Sequence, residues 1–114
     1  MKDATAVVRL SALAHRTRLM AFRLLVKEGA SGLAAGEIAR RLKAPPTTMS
    51  AHLAILTRAK LVVWRREGRV IRYSLNPQSF SELLSYLVSD CCGGQPELCG
   101  PILPAPSTRR RGAL

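Results

Sequence analysis

Three cysteines in one short segment are the residues best suited to chemistry. All the cysteines of this 114-residue chain, Cys91, Cys92 and Cys99, lie in the stretch SDCCGGQPELCG near the C-terminus. An odd number of thiols argues against a disulfide framework and favours metal binding or thiol chemistry. The segment therefore predicts either a site for a soft ion or a reactive cysteine.

Coordination chemistry favours a trivalent ion over zinc at these thiols. Thiolates select soft ions, and trivalent arsenic or antimony takes three sulfur ligands in a pyramid. Structural zinc requires four ligands, and neither a histidine nor a fourth cysteine lies nearby in the sequence. Gly93 and Gly94 allow the chain to fold back, so that Cys99 can approach Cys91 and Cys92. We predict that these cysteines bind arsenite or antimonite, with the thiols contributed by one subunit or shared between two.

Other uses of the same thiols remain open. A redox-sensing repressor would form a disulfide on oxidation, and an arsenate reductase would use Cys91 as its nucleophile. Both need basic neighbours, either to lower a thiol pKa or to bind an anion, and residues 76–108 contain no Lys or Arg. A general DNA architectural protein with incidental cysteines is a further alternative. The charge pattern favours a binding site, and we predict that the chain is not an enzyme.

The rest of the chain is strongly basic. Residues 1–75 carry fifteen Lys or Arg against four acidic residues, which accounts for the whole formal net charge of +11. A basic region of this kind suits the phosphate backbone of a nucleic acid, where each neutralised phosphate releases counterions. Double-stranded DNA is therefore the predicted macromolecular partner.

Apolar spacing predicts four helices followed by a hairpin. The third helix, in AAGEIARRLKA, must end before Pro45, and Pro46 suits the first turn of the next helix. These two helices predict a helix-turn-helix. The segment LVVWRREGRVIRYSL, residues 61–75, holds two β-rich runs about Glu67 and Gly68 and predicts a β-hairpin with a basic tip. The predicted fold is thus mainly α with a β-hairpin wing, a winged helix-turn-helix. The helical stripes fall at Val7–Leu13, Leu19–Val26, Ile38–Leu42 and Met49–Leu56.

A last amphipathic helix predicts a homodimer. A chain of this length has a small core, so a partner subunit would help it to bury apolar surface. We therefore expect the last helix, together with the first, to contact a second copy. The residues of this predicted dimer interface are Val7, Leu10, Phe80, Leu83, Leu84 and Leu87.

The sequence divides into three predicted segments. Residues 1–90 are expected to form the winged helix-turn-helix and dimerisation domain, 91–103 the cysteine-containing inducer-binding segment, and 104–114 a disordered tail with three arginines. No apolar stretch approaches the roughly 20 residues that span a bilayer, and the N-terminus is unlike a signal peptide. We expect no membrane partner and a cytoplasmic location.

Several of these motifs together resemble the ArsR/SmtB metalloregulators. SALAHRTRLMAFRLL is similar to the family's LADPTRLxILxLL segment, TTMSAHLAILTRAKLV to its recognition helix and RREGRVIRYSL to its wing. The resemblance implies a homodimeric repressor that binds an inverted-repeat operator and leaves it when an inducer binds. The family's CxC motif is absent from the third helix, but SDCCGGQPELCG resembles the C-terminal cysteine cluster of a subset of arsenic-responsive members. Pro45 and Lys60 depart from the family, which usually has Ser and Gly there.

Residue chemistry indicates which side chains contact DNA. Short hydroxyls in the first turns of a recognition helix can reach phosphates or base edges in the major groove, and long basic side chains on a wing can reach the backbone or the minor groove. Ser50 and His52 have the alternative of bonding only within their own helix. The predicted DNA contacts are Thr47, Thr48, Ser50, Ala51 and His52 on the helix, with Arg65, Arg66, Arg69 and Arg72 on the wing.

Overall fold

The computed structural model describes residues 1–89. The predicted inducer segment 91–103, with Cys91, Cys92 and Cys99, and the predicted tail 104–114 lie outside the described residues. The elements are α1 (Asp3–Leu13), α2 (Arg16–Glu28), a 3-10 turn (Gly29–Ser31), β1 (Leu33–Ala34), α3 (Ala35–Arg41), α4 (Pro46–Arg58), β2 (Val62–Glu67), β3 (Val70–Leu75) and α5 (Pro77–Leu87). This order confirms the predicted mainly α-helical winged helix-turn-helix fold.

The core lies between α2, α3, α4 and the base of the sheet. Met49, Leu53 and Leu56 of α4 are buried, which confirms the predicted stripe on that helix. They pack with Leu25 of α2 and Ile38 of α3, both completely buried. Helix α4 is therefore held by its apolar face, and its opposite face is left at the surface.

The apolar stripe that predicted helix α2 is only partly buried. Leu19 and Val26 are 44% and 43% exposed, whereas Ala21, Phe22 and Leu25 are buried. Helix α2 carries apolar residues on more than one side, so spacings of three and four identify a helix without identifying its inner face. The contacts of α2 with α1, α4 and β3 select the face that contains the small Ala21.

A short strand, β1, was not predicted. It has only two residues, Leu33 and Ala34, and pairs antiparallel with β3 in a sheet of order β1-β3-β2. Gly32 precedes it with φ +65°, and a Cβ at this position would lie 2.2 Å from the carbonyl oxygen of Tyr73. A glycine is therefore required for β1 to approach β3 so closely.

The hairpin β2–β3, residues 62–75, is the wing. Glu67 pairs with Val70, so the loop is the two residues Gly68 and Arg69. Gly68 has φ +66° and Arg69 does not have a positive φ, a pattern that fits a type II′ turn. The predicted basic hairpin is confirmed, with its turn one residue later than the Glu67–Gly68 centre.

Helix α5 packs against α1 and is tied to it by a buried arginine. Asn76 caps it by accepting a hydrogen bond from the Ser79 amide at 3.4 Å. The buried Arg9 of α1 donates to the Ser79 carbonyl at 3.0 Å and pairs with Glu82 at 3.2 Å. Because a buried charge is stable only when paired, these contacts hold α1 against α5.

Two residues predicted at a dimer interface lie in the protomer itself. Leu83 is only 1% exposed, and Phe80 is half-buried with its ring 5.0 Å from that of Phe22. The prediction for Leu83 is corrected, because its side chain is buried within the protomer, whereas Phe80 is only partly buried and stays a predicted interface residue. Within residues 1–89 no helix is long and apolar enough to cross a membrane.

Candidate DNA-binding site

The first turns of α4 present short side chains to solvent. Met49 turns inward, so Thr47, Thr48, Ser50 and Ala51 are left exposed. The four lie together on the surface, as expected for the outer face of a recognition helix. Their size allows the helix backbone to come close to a bound duplex.

The N-terminus of α4 carries no side-chain cap from the described residues. Its first turn closes with a bond from the Met49 amide to the Pro45 carbonyl at 2.9 Å. Helix N-termini leave amide groups without intrahelical partners, and these groups favour anions such as phosphate. Pro45, which replaces the resembled family's Ser at this point, thus leaves the helix end open to a ligand.

His52 is turned towards the junction of α1 and α2. Its Nδ1 lies 3.3 Å from the Arg18 guanidinium, and its ring centroid is 4.5 Å from that of His15. Arg18 also donates to the carbonyl oxygen of Ala12 at 2.7 Å. The pKa of His52 is lowered by burial and by the neighbouring His15 and Arg18, which favours the neutral ring. His52 therefore joins α4 to α1 and α2, and a DNA contact by this residue stays a prediction.

The four wing arginines divide into two pairs. Arg65 stands directly opposite Arg72, and the Glu67 carboxylate accepts a hydrogen bond from the Nε of each, at 2.7 and 2.9 Å. These bonds lower the pKa of Glu67. Arg66 and Arg69 are exposed, and among the contacts described within residues 1–89 they form no side-chain hydrogen bond or ion pair. Arg66 and Arg69 are therefore the wing cations that the described residues leave available, and their contact with phosphate stays a prediction.

Sequence reasoning missed the partners of these predicted contacts. The sequence places Glu67 only in the turn and gives no role to Arg18 or His15. The signal for Glu67 was its position two residues from Arg65, since side chains two apart on a strand share a face. Nothing in the sequence placed Arg18 beside His52, because the two residues are 34 positions apart.

No metal site occurs in the part of the chain that the structure describes. Within residues 1–89 no three His, Cys, Asp or Glu side chains are grouped to hold an ion. In α3, where the resembled family often has a CxC motif, Glu37 instead pairs with Arg40 and Arg41. Those two bonds lower the pKa of Glu37 to about 2. The three cysteines follow α5 closely in sequence, beginning at Cys91, and the structure leaves them undescribed.

Comparison with known proteins identifies regulators of the same architecture. A family model described as a helix-turn-helix domain matches residues 13–63. The transcriptional activator HlyU of Vibrio cholerae serotype O1 is 33% identical over 85 residues, covering 75% of this chain and 76% of HlyU. A solved structure of HlyU from Vibrio cholerae N16961 gives a TM-score of 0.61 at 35% identity and covers 76% of this chain and 97% of that chain.

Two further solved structures relate the chain to ArsR proteins. One is the homodimeric winged helix-turn-helix DNA-binding domain of a Mycobacterium bovis protein named as "a possible ArsR-family transcriptional regulator" (TM-score 0.63, 28% identity, 79% of this chain and 88% of that chain). Another is named "Possible transcriptional regulator for arsenical resistance" (TM-score 0.63, 29% identity, 84% of this chain and 97% of that chain). These relatives are regulators, which confirms that the chain is not an enzyme. This chain belongs to the ArsR family of winged helix-turn-helix transcriptional regulators.

Proposed function

We propose that this regulator is an arsenite-responsive repressor of the cytoplasm. A homodimer binds an inverted-repeat operator through α4 and the wing, and it dissociates when trivalent arsenic or antimony binds Cys91, Cys92 and Cys99. The observation that carries the proposal is the grouping of every cysteine of the chain within nine residues, immediately beyond the end of α5. Three thiolates match the ligand count and softness of a trivalent pnictogen. A relative named for arsenical resistance adds support.

The homodimer is supported by the apolar side chains that α1 and α5 leave exposed. Val7 and Leu10 of α1 are 60% and 41% exposed, and Leu84 and Leu87 of α5 are 43% and 50% exposed. Helices α1 and α5 are in contact with each other. Such exposed apolar residues on adjacent helices favour an interface with a second copy. The homodimeric relative from Mycobacterium bovis agrees with this assembly.

Contacts on the protomer connect the first half of α5 with the recognition helix. Arg9 ties α5 to α1 through Ser79 and Glu82. Arg18 then ties the end of α1 to α4, because it bonds both the Ala12 carbonyl and His52. A shift of α5 on thiol binding can therefore alter the placement of α4.

Dimer geometry makes operator binding sensitive to a small movement of the subunits. Two recognition helices must lie about 34 Å apart to enter successive major grooves, so a small change of subunit orientation spoils the fit. A coupling free energy of about 1–3 kcal/mol would weaken operator binding roughly 5- to 150-fold. By reciprocity, bound DNA weakens arsenite binding by the same factor.

The test is release of DNA by defined inducers. A duplex selected from a random library by the reduced protein serves as operator, and its affinity is measured with arsenite, antimonite, methylarsenite, zinc and peroxide. Trivalent arsenic should release the wild-type protein from the operator. The operator affinity of Cys99→Ser should fall less when arsenite is added. Ser89→Ala, a change next to the thiol segment that removes no sulfur, is the matched control. An operator affinity that saturating arsenite leaves unchanged would refute the proposal.

A redox-sensing repressor is the second candidate. One solved structure of the related HlyU is named as its reduced form, and this chain also has cysteines close together. Under this alternative, peroxide releases DNA in metalloid-free buffer and a reductant restores binding. Arsenite and peroxide in separate assays distinguish the two functions.

A further inference from the structure

Glu67 is the acidic residue of the wing, and it contacts two of the four wing arginines. Its Oε2 accepts from Arg65 Nε at 2.7 Å and its Oε1 from Arg72 Nε at 2.9 Å. In the antiparallel register Arg65 and Arg72 are directly opposed. Like charges directly opposed across two strands are destabilising, and a carboxylate on the same face relieves that repulsion. The folded wing therefore turns both guanidinium groups towards its own carboxylate.

The two arginines are not held equally. Arg72 has a second bond, from its Nη1 to the Gly32 carbonyl at 3.3 Å, which links the wing to the start of β1. Arg65 has Glu67 as its only described partner, and its side chain is 52% exposed. A solvent-exposed ion pair is weak and exchanges readily. Arg65 is therefore the cation that a competing anion would release first.

A DNA phosphate is such a competitor, and Glu67 opposes it in two ways. The carboxylate keeps Arg65 from the phosphate, and its own negative charge repels the DNA backbone. Sequence-independent binding depends almost entirely on how many phosphates the protein neutralises. One carboxylate at the base of the turn thus lowers the number of effective cations that a wing with four arginines presents.

We propose that Glu67 limits the sequence-independent affinity of the wing for DNA by holding Arg65, and more firmly Arg72, away from phosphate. The inference rests on the proposed DNA contacts of the wing and goes beyond the inducer response. For a regulator of net charge +11, a lower general affinity eases release from DNA once the specific contacts of α4 are lost. Arg66 and Arg69 then supply the general phosphate contacts. By holding the other two wing arginines, Glu67 limits the total number of phosphate contacts that the wing makes.

The test measures binding of the full, reduced chain to a short mixed-sequence duplex between about 0.05 and 0.2 M salt, without arsenite. Glu67→Gln should bind about five times more tightly at the low-salt end, and its log–log salt slope should be steeper by about one phosphate contact. Glu67→Asp retains the charge and should keep the wild-type slope. Glu28→Gln makes the same change in net charge on α2, next to Arg41 and outside the wing, and should leave the slope unchanged.

A double variant separates this role from a structural one. If Arg65 is the released cation, adding Arg65→Ala to Glu67→Gln should restore the wild-type slope. If Glu67 only keeps the hairpin folded, Glu67→Gln weakens binding, and that result overturns the inference. An unchanged slope also overturns it. A wild type that binds this duplex but ignores arsenite would instead contradict the proposed function alone, so the two failures are distinguishable.

Discussion

Helix α4 and the wing differ in how the fold holds them. Leu53 and Leu56 of α4 are completely buried, and they fix the helix against α2 and α3. In β2 only Val62 is buried, and every following residue to Glu67 is exposed. The helix is therefore placed by the core, whereas the wing is placed by its base and by ion pairs on its own surface.

The two regions also differ in charge. Residues 46–57, most of α4, contain no Lys, Arg, Asp or Glu, whereas the wing contains four arginines and one glutamate. Neutral short side chains on a rigid helix suit the reading of base edges, while flexible cations suit phosphate and carry no sequence information. We therefore propose that α4 supplies sequence specificity and that the wing supplies general affinity for DNA. Four substitutions test how α4 and the wing differ in stability and in DNA binding.

The largest effect is expected from the anchor of the helix. Leu53→Ala removes a side chain with no exposed surface and should lower the free energy of unfolding by about 2–5 kcal/mol. Val70→Ala, at a wing residue that is 42% exposed, is the matched comparison and should cost less than about 1 kcal/mol. Urea unfolding followed by circular dichroism measures both. Equal losses would show that the wing is anchored as firmly as the helix.

The next effect concerns sequence reading by α4. Ser50→Ala removes an exposed hydroxyl, and loss of one hydrogen bond of about 1 kcal/mol should weaken binding to the selected duplex roughly fivefold. Binding to a mixed-sequence duplex should change little. Ser81→Ala on α5 is the control and should alter neither. An equal loss of affinity for both duplexes would indicate that Ser50 contacts a phosphate and not a base.

Arg69 at the tip of the wing should behave in the opposite way. Arg69→Ala should weaken binding to every duplex similarly and lower the salt slope by about one, because it removes a single phosphate contact. Fluorescence anisotropy across a salt series measures the slope. If the slope is unchanged, or if the loss is confined to the selected duplex, the division of roles between helix and wing is contradicted.

The smallest effect lies at the connection between the two regions. Lys60 adopts φ +67°, a left-handed conformation that a residue with a side chain rarely takes and that glycine takes freely. Lys60→Gly should raise the free energy of unfolding by about 0.5–1 kcal/mol, since the relief of strain exceeds the added entropy of the unfolded chain. Lys60→Ala removes the same charge but keeps the Cβ, and it should give no such gain.

Elements with strong local signals were predictable from the sequence. The helix-turn-helix was predictable from the prolines at 45 and 46 and from the apolar stripe of α4. The basic hairpin was predictable from two β-rich runs around a glycine. Lys60 was noted as a departure from the family's glycine, and its positive φ gives the physical reason for that glycine. These features depend on residues near each other in the chain.

Features that depend on distant residues were not predictable. Strand β1 has two residues and no alternation, so only its pairing with β3 defines it. The buried Arg9 was missed because a charged residue on a helix is ordinarily exposed. Its partners on α5, Ser79 and Glu82, lie 70 and 73 positions away in the sequence. The pairing of Arg65 and Arg72 with Glu67 likewise required the strand register.

The proposed function depends on the thiols beyond α5 binding trivalent arsenic and thereby removing α4 and the wing from DNA. Arsenic K-edge X-ray absorption of the reduced protein with one equivalent of arsenite tests the binding step directly. We expect the arsenic atom to be coordinated by three sulfur atoms and no oxygen in the wild type, and by one sulfur atom fewer in Cys99→Ser. A first shell of oxygen alone, as in free arsenite, would contradict it.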